Sequence, residues 1–62
     1  MNHTEAEYIA QGYRYERASN PDKARAVAQY LRAMLSSERP EDQTEARRLI
    51  EQGRAEARGV PV

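Results

Sequence analysis

The stretch that decides the fold is residues 7–24, EYIAQGYRYERASNPDKA, which reads as a helix, a break and the start of a second helix. Its helical part is unusual, because three tyrosines surround a glycine, Gly12. Glycine in the middle of a helix lowers helix stability by roughly 0.5 to 1 kcal/mol relative to alanine. We expect close approach of a neighbouring helix to compensate, with Ala24 and Ala28 of the second helix as the small residues that meet Gly12.

The first helix is predicted over residues 4–18. Thr4 followed three residues later by Glu7 fits a capping box, in which a hydroxyl and a carboxylate satisfy two backbone N–H groups at the helix start. Apolar and aromatic residues then recur at helical spacing on two adjoining stripes, which form one broad face. These residues are Ala6, Ile9 and Tyr13 on one stripe, and Tyr8, Gly12 and Tyr15 on the other.

Two breaks that each contain proline separate the remaining helices, which are predicted over residues 21–36 and 40–58. In the first break Asn20 is an N-cap and Pro21 occupies the first helical position, where its fixed φ suits the helix. In the second break Pro40 likewise occupies the first position of the third helix. Connections this short favour antiparallel neighbours. The predicted fold is therefore all-α, a single three-helix domain over residues 1–62, with an antiparallel helical hairpin and a third packing helix.

The apolar residues of the three helices predict a small core. They recur three and four positions apart, which is the spacing of a core-facing stripe. The core residues expected from this spacing are Ile9, Val27, Leu31, Leu35, Leu49 and Ile50. Gly59 is placed to end the third helix in a left-handed conformation, with Val60 folding back on it and Pro61 preventing continuation.

Size and composition limit what this chain can do. A chain of 62 residues buries roughly 60% of its unfolded surface, and without cysteine it has no disulfide to add stability, so we expect association with a partner or with another copy. Ten Lys and Arg balance ten Asp and Glu, so no overall field attracts nucleic acid or a membrane. No apolar run is long enough for a membrane span or an export signal, which makes the cytoplasm the expected compartment.

The spacing in the first two helices resembles the tetratricopeptide repeat, a helical hairpin of about 34 residues. The resemblance covers roughly residues 5–40 and rests on Tyr8, Gly12, Tyr15, Ala26, Tyr30, Ala33 and Pro40. It implies binding of a protein or peptide on the face of the first helix that carries Gln11 and Arg14. Because each repeat needs neighbours to cover its faces, a single unit would use the third helix or another chain.

The residues give little support for catalysis or for a bound metal. His3 lies in what we expect to be a frayed end, and Glu41, Asp42 and Glu45 are explained by the dipole of the third helix. We therefore expect a non-enzyme without a cofactor. A free amine at Met1 followed by His3 could wrap Cu(II) or Ni(II) in a square-planar nitrogen field, but no metal is assigned to the protein's function.

The aromatic and arginine residues of the first helix suggest a protein-binding surface. The chain has four tyrosines and no Phe or Trp, and because each tyrosine hydroxyl needs a hydrogen-bond partner or water, some of them should lie at a partly solvated surface. Tyrosine and arginine are also enriched at interfaces. The candidate contact residues are Tyr8, Gln11, Tyr13, Arg14, Tyr15 and Arg17. A plainer account is that Tyr8, Tyr13 and Tyr30 fill space with their tips exposed. The predicted function is a small regulator, adaptor or inhibitor that binds a larger protein and self-associates.

The alternative function is nucleic-acid binding by the third helix. That helix accumulates arginines, and three helices are also the layout of helix-turn-helix proteins. The candidate residues are Arg47, Arg48, Arg54 and Arg58. Glutamates interleave with them, which favours ordinary surface pairing instead.

Overall fold

The computed structural model describes residues 1–59. It contains three helices, α1 (Glu5–Glu16), α2 (Pro21–Ser36) and α3 (Pro40–Ala57), and no strand among the described residues. The predicted all-α three-helix domain is confirmed. Val60, which was expected to fold back on α3, and Pro61, which was expected to prevent its continuation, lie outside the described residues.

The caps predicted for α1 and α2 are present. The backbone N–H of Glu7 donates to Thr4 Oγ1 over 3.1 Å, and the N–H of Thr4 donates to Glu7 Oε1 over 3.2 Å, which completes the capping box. At α2 the side chain of Asn20 accepts from the N–H of Lys23 over 2.9 Å. These bonds satisfy backbone donors that have no partner inside the helix.

Proline and glycine set the other helix boundaries. Pro21 and Pro40 are the first residues of α2 and α3, as predicted, and Arg39 at the N-cap of α3 supplies no side-chain bond. Gly59 has a φ of +79°, the left-handed conformation expected after the last turn. The first helix ends at Glu16, two residues before its predicted end.

The tightest helix contact joins α1 to α3 through Gly12 and Gly53. A Cβ on Gly12 would lie 2.8 Å from the carbonyl carbon of Ile50, and a Cβ on Gly53 would lie 2.8 Å from that of Ile9. The expectation that Gly12 meets alanines of the second helix was wrong. Two glycines that face each other allow a closer approach of backbones than glycine against alanine, so α3 occupies this position.

The core is small and centres on one tyrosine. Its buried side chains are Tyr8, Leu31, Met34, Ala46 and Leu49, of which Tyr8 is 0% exposed. Of the predicted core residues, Leu31 and Leu49 are buried. The others, Ile9, Val27, Leu35 and Ile50, are partly buried and pack against this cluster, as does Tyr15.

The arrangement of the helices is flat. The backbone of α1 lies close to those of both α3 and α2, whereas the backbones of α2 and α3 rarely come close to each other. The Cα positions extend over 31 × 27 × 14 Å, so the shortest dimension is no more than two helix layers thick. This layout leaves a groove between α2 and α3. Within residues 1–59, no helix has both the length and the apolar character that crossing a bilayer requires.

Candidate protein-binding surface

The outer faces of α1 and α2 form a continuous aromatic and basic surface. Tyr13 is 41% exposed and Tyr30 is 54% exposed, which is high for large aromatic side chains. Two adjoining depressions, of about 460 and 270 Å³, share Arg14 and Val27 in their walls. We call this region the tyrosine–arginine surface, and define it by Gln11, Tyr13, Arg14, Arg17, Lys23, Val27 and Tyr30.

Helical spacing on two neighbouring helices creates this surface. On α1 and its C-cap, Ala10, Tyr13 and Arg17 recur at intervals of three and four, and on α2 Lys23, Val27 and Tyr30 do the same. Residues at this spacing share one face of a helix. Sequence reasoning selected Tyr13 and Arg17 of the α1 stripe but not Ala10. It missed the α2 stripe as a binding element, although the spacing of that stripe was visible.

The tyrosine–arginine surface carries unpaired positive charge. Among residues 1–59, no carboxylate lies within 4.0 Å of the charged groups of Arg14, Arg17 or Lys23. The guanidinium carbon of Arg17 lies 5.8 Å from the centre of the Tyr13 ring, which is within the range of a cation–π interaction. The surface can therefore offer both apolar contact and charge-assisted hydrogen bonds to carboxylates.

Tyr8, predicted as a contact residue, is instead structural. Its side chain is fully buried, so it is not accessible to a partner. The hydroxyl donates to Glu38 Oε2 over 2.6 Å and lies 3.2 Å from the carbonyl oxygen of Met34. Burial raises the pKa of Tyr8 well above its usual value, and the neighbouring Glu38 carboxylate raises it further. The prediction failed because spacing within α1 does not reveal which tyrosine faces the other helices.

Glu38, in the connection between α2 and α3, organises the beginning of the chain. Only 6% of the residue is exposed, and its carboxylate accepts from the backbone N–H groups of Asn2 over 2.7 Å and of His3 over 3.1 Å. Burial raises the pKa of Glu38, but the Tyr8 hydroxyl and these two N–H groups lower it more, and the net shift is downward. No pattern in the sequence marked this residue.

The first three residues thus contact the rest of the chain, and His3, which was expected to lie in a frayed end, makes two further contacts. The His3 ring packs edge-on against Tyr8, with centres 5.8 Å apart, and its Nδ1 lies 3.2 Å from Glu7 Oε2. The side-chain nitrogen of Asn2 also donates to the carbonyl oxygen of Ser37. The amide nitrogens that a copper chelate would use are occupied by these bonds to Glu38.

Tyr15 lies apart from the tyrosine–arginine surface. It is half-buried, packs against the core and lines the groove between α2 and α3. The guanidinium carbon of Arg54 lies 5.1 Å from the centre of its ring. Of the six residues predicted to bind a partner, the structure therefore brings together Gln11, Tyr13, Arg14 and Arg17.

Three of the four arginines proposed for nucleic acid are engaged in ion pairs. Arg54 and Arg58 both donate to Glu16, over 2.9 and 3.1 Å, and both also lie near Glu51. Hydrogen bonding by Arg54 lowers the pKa of Glu16. Arg48 pairs with Glu45. For Arg47 no carboxylate lies within 4.0 Å among the described residues.

The acidic residues at the start of α3 do not form a metal centre. Residues 1–59 contain no group of three or more His, Asp or Glu side chains that could hold a metal ion. Glu41 and Asp42 lie in the first turn of α3, where negative charge complements the helix dipole. Asp42 is also 3.8 Å from the amino group of Met1.

Comparisons of the chain with protein families, with curated proteins and with solved structures found no match. The resemblance to the tetratricopeptide repeat therefore stays a prediction.

Proposed function

We propose that this protein is a non-catalytic interaction module of the cytoplasm, a small regulator, adaptor or inhibitor that docks on an acidic patch of a larger protein. The observation that carries the proposal is the tyrosine–arginine surface, where Tyr13 and Tyr30 are exposed beside three cations that have no carboxylate within 4.0 Å among residues 1–59. Tyrosine and arginine are enriched among the residues that contribute most to binding energy at protein interfaces.

The charge of this surface favours an acidic partner. Arg14, Arg17 and Lys23 line one depression without a carboxylate within 4.0 Å among residues 1–59, so a partner's Asp or Glu side chains would meet no competing ion pair. Complementary charge speeds association and selects against basic partners. Gln11, which the tetratricopeptide resemblance implies as a contact, lines the neighbouring depression with Tyr30.

Self-association is the second part of the proposal. The five buried side chains of the core are few for a domain of this size, and small domains often gain stability by associating. Sedimentation equilibrium over a wide concentration range, with helicity measured on the same samples, tests it. Helicity that falls as the assembly dissociates on dilution supports self-association, whereas a fully helical monomer at all concentrations contradicts it.

The docking proposal is tested by comparing variants for capture of a partner from cell lysate, followed by titration calorimetry with the purified partner. The double variant Tyr13→Ala, Arg17→Ala should lose at least tenfold in affinity, because it removes an aromatic contact and a charge-assisted bond. The matched control is Arg25→Ala, Arg48→Ala, which removes two arginines that already pair with Asp22 and Glu45.

Nucleic-acid binding through α3 is the weaker proposal, because Arg47 is the only one of its four candidate arginines that is unpaired within residues 1–59. Both kinds of binding weaken with salt, because phosphate contacts and the ion pairs of the docking proposal are both screened. Variants therefore distinguish the two. Capture of nucleic acid that is lost in Arg47→Ala and kept in Tyr13→Ala, Arg17→Ala would contradict the protein-binding proposal.

A further inference from the structure

The groove between α2 and α3 is a second concave surface, separate from the tyrosine–arginine surface. It has a volume of about 340 Å³, and its walls are Leu31 and Leu35 from α2 and Ile50 from α3. Tyr15 reaches into it from α1. The groove exists because α1 packs against both other helices, while the backbones of α2 and α3 rarely come close to each other. Leu35, Ile50 and Tyr15 remain only partly buried as a result.

The rim of this groove is positively charged. Arg32 on α2 and Arg47 on α3 both line it, both are exposed, and neither has a carboxylate within 4.0 Å in the described part of the chain. Arg54 lies over the Tyr15 ring and pairs with Glu51, the one acidic residue of the lining. Because Arg54 also pairs with Glu16, the positive charge left at the rim is that of Arg32 and Arg47, beside an apolar floor.

We propose that this groove binds an amphipathic helix of another protein whose apolar stripe is flanked by acidic residues. Apolar side chains three and four residues apart would cover Leu35, Ile50 and Tyr15, as in other helix-in-groove complexes. Glutamates on the two flanks would reach Arg32 on one wall and Arg47 on the other. The bound helix completes a four-helix arrangement on a domain that is 14 Å thick in its shortest direction.

Two features of the molecule favour a foreign acidic helix over other occupants. Residues 1–59 contain no strand, so an extended peptide would find no sheet edge to join. A second copy would have to present an apolar surface with acidic flanks. The tyrosine–arginine surface instead carries Arg14, Arg17 and Lys23, and like charges would oppose its docking between Arg32 and Arg47.

Fluorescence anisotropy with a synthetic helical peptide tests the proposal. The probe is a labelled peptide of 16 residues, the length of α2, with leucines at intervals of three and four and glutamates on both flanks. One control peptide has the same composition in scrambled order, and another has lysines in place of the glutamates. We expect saturable binding of the acidic amphipathic peptide to the full chain, and at least tenfold weaker binding of both controls.

Variants of the protein locate the bound peptide. The double variant Arg32→Glu, Arg47→Glu should lose at least tenfold in affinity for the acidic peptide and gain affinity for the lysine peptide. Ala28→Trp, which places a large ring in the groove lining, should prevent binding of either peptide. Arg25→Glu, Arg39→Glu reverses the same amount of charge at exposed sites that line neither surface, and should leave the affinity within about twofold. Circular dichroism confirms that each variant is folded.

Three results would overturn the proposal. One is the absence of saturable binding to the wild-type chain. Another is an affinity for the acidic peptide that falls in Arg14→Glu, Arg17→Glu and not in Arg32→Glu, Arg47→Glu. The third is a dimer, seen by sedimentation equilibrium without peptide, that Ala28→Trp dissociates, because the groove would then be occupied by a second copy.

Discussion

Gly12 of α1 and Gly53 of α3 form a reciprocal contact at the crossing of the two helices. Gly12 lies against the backbone of Ile50, one turn before Gly53, and Gly53 lies against the backbone of Ile9, one turn before Gly12. Each glycine thus makes room for the other helix. This contact brings α1 onto α3, and α2 also packs against α1.

Gly12→Ala should destabilise the protein. In an exposed helix the change would raise the free energy of unfolding by roughly 0.5 to 1 kcal/mol, because alanine is the better helix former. Here the new methyl group overlaps the carbonyl of Ile50, and overpacking costs about 1 to 3 kcal/mol or more. Urea unfolding followed by circular dichroism measures the difference. Ala10→Gly, at an exposed site on the same helix, calibrates the propensity effect, and a Gly12→Ala variant more stable than wild type would refute the tight crossing.

Tyr8→Phe and Tyr13→Phe should differ sharply in their effect on stability, although each removes one hydroxyl. The Tyr8 hydroxyl is buried and donates to Glu38, so its removal should lower the free energy of unfolding by about 1 to 3 kcal/mol. Tyr13 is exposed, and its variant should stay within about 0.5 kcal/mol of wild type. Thermal melting resolves this, since 1 kcal/mol shifts the midpoint by about 4 to 8 °C in a domain of this size. Equal midpoints would show that the bond to Glu38 contributes nothing.

Glu38 should make stability depend on acid pH. Because its pKa is lower in the folded chain than its ordinary value of 4.5, its contribution is complete above that value and is lost as pH falls through the folded pKa. Urea midpoints from about pH 3 to pH 7 should therefore show a stability difference between wild type and Glu38→Gln that shrinks in acid. A constant difference for Glu38→Gln would contradict this role.

Asn20→Ala should lower the free energy of unfolding by about 1 kcal/mol, because it removes the acceptor for the N–H of Lys23 at the start of α2. Asn20→Ser keeps an oxygen at the same place and should retain most of the stability. Guanidinium unfolding of the three chains measures the effect. If the alanine and serine variants unfold at the same midpoint, the cap does not stabilise α2.

The sequence by itself determined where the helices begin. Thr4 with Glu7, Asn20, Pro21 and Pro40 all mark helix starts that the structure contains. Each acts on backbone groups within four residues of itself, so the neighbouring sequence is sufficient to interpret it. The all-α class followed from the same local signals, together with the three- and four-residue spacing of the apolar side chains.

Only the tertiary structure decided which residues of those helices meet. Tyr8 and Tyr13 lie on adjoining stripes of α1, yet one is fully buried against Glu38 and the other is exposed. Gly12 meets α3 and not α2, and Glu38 binds the first residues of the chain across 35 or more positions. Spacing within one helix defines its faces but not the helices that pack against them. Which helix packs against a face depends on how closely the two backbones can approach. The small residues of both helices together decide that approach.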